Sequence, residues 1–375
     1  MRKPCNWRAP FVARTDMNAS GNYLKKGFSL SALTQAVMLS GMMALGAASA
    51  HAADVAEESV QPAIKSDLAA HTLLVDAAVA GDRLVAVGSR GHIVYSDDQG
   101  KTWTQANVPV RQLLTAVYFA DDKNGWAVGH DSLILHTSDA GANWEMQYRD
   151  PELDQPIDPE GPSLLERPLM DVWFKNANTG FAIGAYGTFL RTDDGGKTWE
   201  DRSYDIDNPD GFHYNAITAV KGAGLMLAGE MGTLYRSPDF GDTWETLTDL
   251  PYDGSWFGAS GTSSDNVVLV WGLRGNMFRS TDFGDTWEQV ELLTPNNGPL
   301  EATLLGGGLS GDGKLVVVGA GGVVLSSTDG GNSFDVMTRP DRIALASAKA
   351  LGDGELLLVG QHGVATMPAS ALKAH

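Results

Sequence analysis

Six aspartates recur in the sequence with the same neighbours. Each lies in the pattern [Ser/Thr]-x-Asp-x-Gly-x-[Thr/Asn/Ser]-aromatic, and the first copy is SDDQGKTW (96–103). The aspartates and aromatic residues of the six copies are Asp98 and Trp103, Asp139 and Trp144, Asp194 and Trp199, Asp239 and Trp244, Asp282 and Trp287, and Asp329 and Phe334. Because carboxylates serve as acids, bases and nucleophiles, these residues are first tested as a catalytic set.

The intervals between the copies favour a repeat architecture over a catalytic set. Successive aromatic residues are 41, 55, 45, 43 and 47 residues apart, and such a period is typical of stacked repeats. Equivalent aspartates spread around a ring cannot converge on one substrate. Within a turn, the carboxylate can instead accept backbone N–H bonds, while Gly supplies a positive φ and the aromatic residue buries apolar area. We therefore expect this motif, called the box below, to be structural.

Other polar residues give no stronger enzyme signature. Arg191, Arg236 and Arg279 all precede the box Ser or Thr, so they should point alike and lie far apart, unlike the converging arginines of a sialidase. The sequence contains no Gly-x-Ser-x-Gly elbow and no His-x-x-x-His pair. We predict a protein that is not an enzyme, with no catalytic residue, metal or cofactor. A glycan-active enzyme of the sialidase or glycoside hydrolase type and a small-ligand-binding propeller are the alternatives.

Seven pairs of short apolar runs accompany the boxes. The first pair is LVAVGSRGHIVYS (84–96) and the last is LLLVGQHGVATMP (356–368). A further apolar run precedes each pair, such as LLTAVYF (113–119), and a short segment follows each box. Four short strands in about 45 residues are typical of a propeller blade. The sequence therefore predicts an all-β, seven-bladed β-propeller.

The seventh unit lacks a box, and the N-terminal residues are predicted to complete it. SVQPA (59–63) precedes TLLVDAAV (72–79) much as TQANV (104–108) precedes LLTAVYF. We expect this segment to pair as the outer strand of the last blade, which would close the ring and remove an exposed edge. The predicted propeller is a single domain over residues 53–375.

The first 52 residues differ from the rest and predict export. Lys25 and Lys26 precede an apolar run (28–50) that ends in Ala50-His51-Ala52, a small-x-small cleavage site. We predict a secretory signal peptide over residues 1–52, translated from Met1 or Met17, and a periplasmic protein. A membrane anchor is the alternative for this run. No later stretch is apolar enough to span a bilayer.

Cleavage after residue 52 would leave an acidic chain. The sequence has 27 Lys+Arg and 46 Asp+Glu, of which residues 1–52 hold six Lys/Arg and one Asp. The remainder has 21 basic and 45 acidic residues, a formal net charge of −24. Such a field repels nucleic acid and anionic lipid. The one cysteine, Cys5, would leave with the signal, so the propeller would have no disulfide and no thiolate chemistry.

GFAIGAYGTFLRTDDGGKTW (180–199) and VLVWGLRGNMFRSTDFGDTW (268–287) resemble the Asp-box (BNR) repeats of the photosystem II stability/assembly factor family and its bacterial relatives. The resemblance covers roughly residues 55–368. It implies a seven-bladed propeller that assembles or stabilises a membrane or envelope complex by binding a protein client. Photosynthetic members hold their client on a basic surface, whereas this chain is acidic. Some bacterial relatives are associated with RND-type transporters, which makes such a transporter a lead for the client.

An antiparallel blade sorts its turns between two faces of the propeller. Since the box lies between the third and fourth strands, the turns between second and third strands and the blade connections share the other face. We call these the box face and the opposite face. Varied loops on a regular scaffold usually carry binding, so the opposite face is the predicted binding face, with solvated spacers as the alternative. Its predicted residues are Arg90, His130, Tyr186, Phe212, Glu230, Trp256, Phe257, Arg274 and His362, beside an acidic insertion (148–168) with Asp150, Glu152, Asp154, Asp158 and Glu160.

Overall fold

The structure is a computed structural model that describes residues 61–154, 167–352 and 354–373. Within these residues, 27 strands form seven antiparallel sheets, six of four strands and one of three. In each sheet the strands lie side by side in sequence order. These sheets confirm the predicted all-β, seven-bladed propeller. The predicted signal peptide lies outside the described residues.

The strand bounds follow the seven repeats. Blades 1 and 2 contain β1 (Leu74–Ala80), β2 (Arg83–Gly88), β3 (Ile93–Ser96), β4 (Thr104–Gln105), β5 (Leu114–Phe119), β6 (Gly125–Gly129), β7 (Ile134–Thr137) and β8 (Glu145–Tyr148). Blades 3 and 4 contain β9 (Leu169–Phe174), β10 (Gly180–Gly184), β11 (Phe189–Thr192), β12 (Glu200–Asp201), β13 (Tyr214–Val220), β14 (Gly224–Gly229), β15 (Leu234–Ser237) and β16 (Glu245–Thr246). Blades 5 to 7 contain β17 (Trp256–Gly261), β18 (Val268–Gly272), β19 (Met277–Ser280), β20 (Glu288–Gln289), β21 (Leu304–Leu309), β22 (Leu315–Gly319), β23 (Val323–Ser327), β24 (Asp335–Thr338), β25 (Leu345–Ala350), β26 (Glu355–Gly360) and β27 (Gly363–Pro368). Short 3-10 turns span Ala69–His71, Ser89–Gly91, His130–Ser132, Pro151–Asp154, Ala185–Gly187, Ser203–Asp205, Leu273–Gly275, Ala320–Gly322 and Ala369–Lys373.

The core lies in layers between neighbouring blades. The first strands of consecutive blades contact one another around the ring, and β25 contacts β1. Each first strand begins with a large residue that is at most 3% exposed, and a shift in strand register follows it. These residues are Leu74, Leu114, Leu169, Tyr214, Trp256, Leu304 and Leu345. The recurring apolar runs of the sequence are thus the inter-blade core.

The N-terminal segment runs along blade 1, which corrects the prediction that it forms the outer strand of blade 7. The N–H of Ala63 donates to the carbonyl of Val108 at 3.0 Å, and Lys65 Nζ donates to the carbonyl of Gln105 at 2.8 Å. Of the predicted strand 59–63, residues 59 and 60 lie outside the described residues.

Blade 7 has three strands in the described part of the chain. The turn at Ala69–His71 packs there instead of a fourth strand, because Ala69 and Ala70 share a buried cluster with Leu357 of β26. A Cβ at Gly363 would lie 1.9 Å from the carbonyl oxygen of Ala70, so this contact requires glycine. Residues 69–71 therefore help to close the ring as a turn, and the described residues of the N-terminal segment form no strand in blade 7.

Candidate functional site

The box aspartates are engaged within their own turns. Asp98 accepts the N–H of Thr102 at 2.8 Å and its hydroxyl at 2.6 Å, and Ser96 Oγ donates to Asp98 at 2.8 Å. These hydrogen bonds, that of the Thr102 hydroxyl first, lower the pKa of Asp98 to about 2. The same arrangement recurs at Asp139, Asp194, Asp239, Asp282 and Asp329. The box therefore stabilises a turn, as the spacing indicates.

The box aromatic residues differ in burial. Trp144 is 4% exposed, and its Nε1 donates to the carbonyl of Gly141 at 2.9 Å. The other five aromatic residues, Trp199 among them, are half-buried. Trp144 is therefore the box residue with the largest expected contribution to stability.

The box-face arginines join neighbouring blades. Arg191 contacts Asp193 of its own turn and Asp242 of the next blade, both at 2.8 Å. Arg236 contacts Asp285 of the next blade at 2.6 Å, and Arg279 Nε donates to the carbonyl of Gly330 at 3.2 Å. These arginines occupy equivalent positions, as predicted, and their inter-blade role explains why the residue type recurs. They are not gathered around one anion.

On the opposite face, the turn between the second and third strands has one residue at an equivalent position in each blade, and this residue is exposed in six of the seven blades. The residues at this position are Arg90 (φ 60°), Asp131 (59°), Tyr186 (56°), Met231 (52°), Arg274 (54°) and Gly321 (68°), with His362 in the corresponding turn of blade 7. Non-glycine residues rarely adopt this left-handed conformation, which costs roughly 1–2 kcal/mol per residue. A backbone hydrogen bond to the residue that precedes the first strand stabilises the turn. In blade 4, for example, the N–H of Glu230 donates to the carbonyl of His213 at 3.0 Å.

Four basic residues follow one another around half of the opposite face. Arg274 lies in blade 5, Arg342 between blades 6 and 7, His362 in blade 7 and Arg90 in blade 1. All four are exposed. Arg342 covers the turn of blade 6, since a Cβ at Gly322 would lie 3.1 Å from the Cα of Arg342. Within the described residues, none of the three arginines has a carboxylate within 4.0 Å. We call these four residues the basic arc.

Blades 3 and 4 carry a different set of residues on this face. The ring centroids of Tyr186 and His213 are 4.8 Å apart, and His213 Nδ1 lies 3.6 Å from Glu230. Tyr186 is 49% exposed, and Met231, which follows Glu230 in the chain, is 62% exposed. We call Tyr186, His213, Glu230 and Met231 the Tyr186 patch. The sequence analysis included Tyr186 and Glu230 but missed His213 and Met231, of which Met231 could have been identified from its turn position.

Trp256 is not a surface residue, which corrects its place in the predicted binding face. It is fully buried, and its ring lies 4.7 Å from Tyr252 and 5.7 Å from Phe278. The reason is its position at the start of β17, where every blade has a large core residue. Alignment of SWFGAS with the starts of the other first strands would have revealed this. Phe257 and Phe212 are half-buried, and His130 and Glu230 are partly exposed.

Of the two described carboxylates of the acidic insertion, Asp150 is buried and Glu152 is exposed. Asp150 is 5% exposed and contacts Arg167 at 2.6 Å, while Glu152 contacts the same guanidinium at 3.0 Å. The ion pair between Asp150 and Arg167 therefore joins the two described ends of the insertion, and Asp150 is not a free surface charge. Asp158, Glu160 and the side chain of Asp154 lie outside the described residues.

Two carboxylates of the first strands, missed in the sequence, bridge consecutive blades. Asp76 accepts the N–H of Val117 at 3.0 Å, and Asp171 accepts the N–H of Ile217 at 2.9 Å. Burial between the blades, with Asp76 as a further cause, raises the pKa of Asp171 to about 7, while Lys349 opposes the shift. Because these oxygens are bound to the neighbouring strands, the carboxylates connect blades.

Neither a metal-binding cluster nor a membrane-spanning helix is found among the described residues. Across residues 61–154, 167–352 and 354–373, no three His, Cys, Asp or Glu side chains are grouped so that they could hold a metal ion. The same residues include no helix that is long and apolar enough to cross a membrane.

Known proteins resemble this chain in sequence and in fold. The photosystem II assembly lipoprotein Ycf48 of Synechococcus sp. (strain CC9902) is 32% identical over 134 residues, a region that spans 36% of this chain and 36% of that protein. A structure of YCF48 bound to D1 peptide superposes with a TM-score of 0.58 at 17% identity, covering 82% of this chain and 94% of that one. A streptogramin B lyase superposes with a TM-score of 0.62 at 12% identity, covering 82% and 96%, so the fold alone does not separate binding proteins from enzymes. The family model for the photosynthesis system II assembly factor YCF48 matches residues 55–161 and 163–290, and this chain therefore belongs to that family.

Proposed function

We propose that the protein is a non-enzymatic scaffold that helps to assemble or stabilise a membrane or envelope complex. On this proposal it is exported to the periplasm and binds a segment of a protein client on the opposite face. The client complex would be one that exposes an extended segment, an RND-type transporter being one candidate.

One observation carries the proposal. At one turn position in all seven blades, the opposite face presents residues of different chemistry, Arg, Asp, Tyr, Met, Gly and His. Exposed Tyr and Arg are the residue types most often found at interface hot spots. The box face instead repeats Asp and Arg, which bond to the box turns and to neighbouring blades. A binding surface is expected where residues vary on a rigid scaffold.

The enzyme alternatives receive less support from the same geometry. The box carboxylates each accept two bonds from their own turn, and Arg191 and Arg236 are already paired with carboxylates. A glycosidase needs two carboxyl groups that face one glycosidic bond. A relative of known structure is described as bound to a peptide, which supports a protein segment as the ligand.

Site-specific photo-cross-linking in the native cell tests this function. A photo-reactive amino acid at Arg90 or His362 should yield a discrete adduct whose protein partner is identified by mass spectrometry. The matched positions on the box face are Lys101 and Lys197, which are also exposed and should yield none. Equal adducts from both faces would argue against the proposal. Release of sugar from a glycan by the purified protein would argue for the enzyme alternative.

A further inference from the structure

The Tyr186 patch has an acidic rim. The loop at 207–212 passes beside the Tyr186 turn, since a Cβ at Gly187 would lie 2.8 Å from Asn208 Nδ2. Two exposed carboxylates, Asp207 and Asp210, project from this loop. Among the described residues, no ion pair involves either of them, whereas the nearby Asp205 is paired with Arg202 at 2.8 Å.

The rim is held in a fixed shape. Asn208 closes the loop, because its Nδ2 donates to the carbonyl of Phe212 at 2.9 Å and its Oδ1 accepts the Phe212 N–H at 3.0 Å. On the other side of the patch, Glu230 accepts the N–H of His213 at 3.1 Å. The backbone of the loop that carries Asp207 and Asp210 is therefore ordered before any partner binds, which lowers the entropic cost of association.

The carboxylates and apolar side chains of the patch favour a ligand that has both basic and apolar side chains. A Lys or Arg side chain can place its cationic end near Asp207, Asp210 or Glu230 while its aliphatic stem covers apolar surface. The exposed ring of Tyr186 can also attract a cation, and Met231 adapts to apolar side chains of varied shape. An acidic segment would be repelled here and suits the basic arc instead. We propose that the Tyr186 patch binds an extended protein segment in which Lys or Arg alternates with apolar residues. This inference rests on the proposed function and names the chemistry of the client segment.

Two short fluorescent peptides test the proposal by anisotropy with the purified propeller, one with Leu alternating with Lys and one with Leu alternating with Glu. The Leu–Lys peptide should bind the wild-type protein, and Tyr186→Ala with Met231→Ala should weaken it by about tenfold, as expected for two hot-spot residues. Asp207→Asn with Asp210→Asn should weaken it mainly at low salt. Met146→Ala, at an exposed methionine of β8, is the matched control and should have no effect.

The outcomes separate this inference from the proposed function. If the Leu–Lys peptide binds the Tyr186/Met231 variant as tightly as the wild type, its binding is non-specific attraction to an acidic protein and the inference is wrong. The proposed function would still stand if adducts form at Arg90 or His362. If the Tyr186/Met231 variant fails to fold, the Asp207/Asp210 variant tests the inference instead, because exposed carboxylates can be neutralised without loss of core packing. Equal binding of the Leu–Glu peptide at the patch would also overturn the inference.

Discussion

The box face and the opposite face are made by the same seven repeats, yet they use their polar side chains differently. On the box face, Asp98 and its equivalents bond within their turns and Arg191 and Arg236 bond to the next blade. On the opposite face, Arg90 and Arg274 lie at an equivalent turn position and have no carboxylate within 4.0 Å in the described residues. Residues that recur between blades therefore hold the ring together. Residues which vary at one position are available to a partner.

Substitution of the buried tryptophans Trp256 and Trp144 should lower the free energy of unfolding most. Trp256→Ala and Trp144→Ala should each lower the free energy of unfolding by about 3–5 kcal/mol, because each removes a buried indole. Urea denaturation of the purified variants measures this. Trp199→Ala should cost less because Trp199 is half-buried. A stable Trp256→Ala variant that loses only client binding would contradict the burial of this residue.

The next largest effect concerns the carboxylate that connects blades 3 and 4. The pKa of Asp171 is raised to about 7 in the folded chain, against an ordinary value of 3.8. Its neutral form therefore favours the folded state. That contribution is complete below pH 3.8 and is lost as the pH rises through about 7, by at most about 4 kcal/mol.

Asp171→Asn should flatten the decline in stability between pH 5 and 8, because the amide cannot ionise. Urea denaturation across this range, with Asp76→Asn as the comparison, is the measurement. The charged or titratable groups around Asp171 are Asp76, Lys349 and Tyr118. The box aspartates act in the other direction and only at low pH, since the pKa of Asp98 is about 2. An unchanged slope in the Asn variant would show that another group titrates.

Local patterns predicted the fold better than they predicted the surface. The box needs only residues within one turn, so Asp98, Gly100 and Thr102 could be interpreted from their spacing. The bridge from Arg191 to Asp242 joins residues 51 positions apart, and no local pattern contains it. Trp256 was misplaced because it follows a loop and was interpreted as part of an exposed aromatic cluster. Alignment of the repeats on their first strands would have placed it at the buried first position of β17. The N-terminal segment was misplaced because SVQPA resembles the segment TQANV, whereas its described residues 61–63 lead along blade 1.

A smaller effect on stability is expected from the inter-blade arginines. Arg191→Ala should lower the free energy of unfolding by about 1 kcal/mol, since partly exposed ion pairs contribute little and the carbonyl of Gly241 also loses a donor at 3.4 Å. Arg191→Lys should recover only part of this, because Lys cannot reproduce two bonds in fixed geometry. Thermal unfolding measures the loss, and capture of the client should be unchanged. Loss of capture without loss of stability would place binding on the box face.

The smallest effect on stability is expected at the basic arc, where the effect on binding should be large. Arg274→Ala with Arg342→Ala should change the free energy of unfolding by less than about 0.5 kcal/mol, because both side chains are exposed and neither forms an ion pair with the described residues. The same variant should lose the cross-linked client and the Leu–Glu peptide, most clearly at low salt, since exposed charges are screened over about 8 Å at physiological ionic strength.

Arg274→Gly sharpens this test because Arg274 has a φ of 54°. Glycine adopts this conformation without the strain of an L side chain, so the variant should unfold at the same temperature as the wild type or slightly above it. It should nevertheless bind the Leu–Glu peptide more weakly, since it lacks the cation. Binding that is lost only together with stability would mean that Arg274 supports the turn, and the distinction between the two faces would then fail at this position.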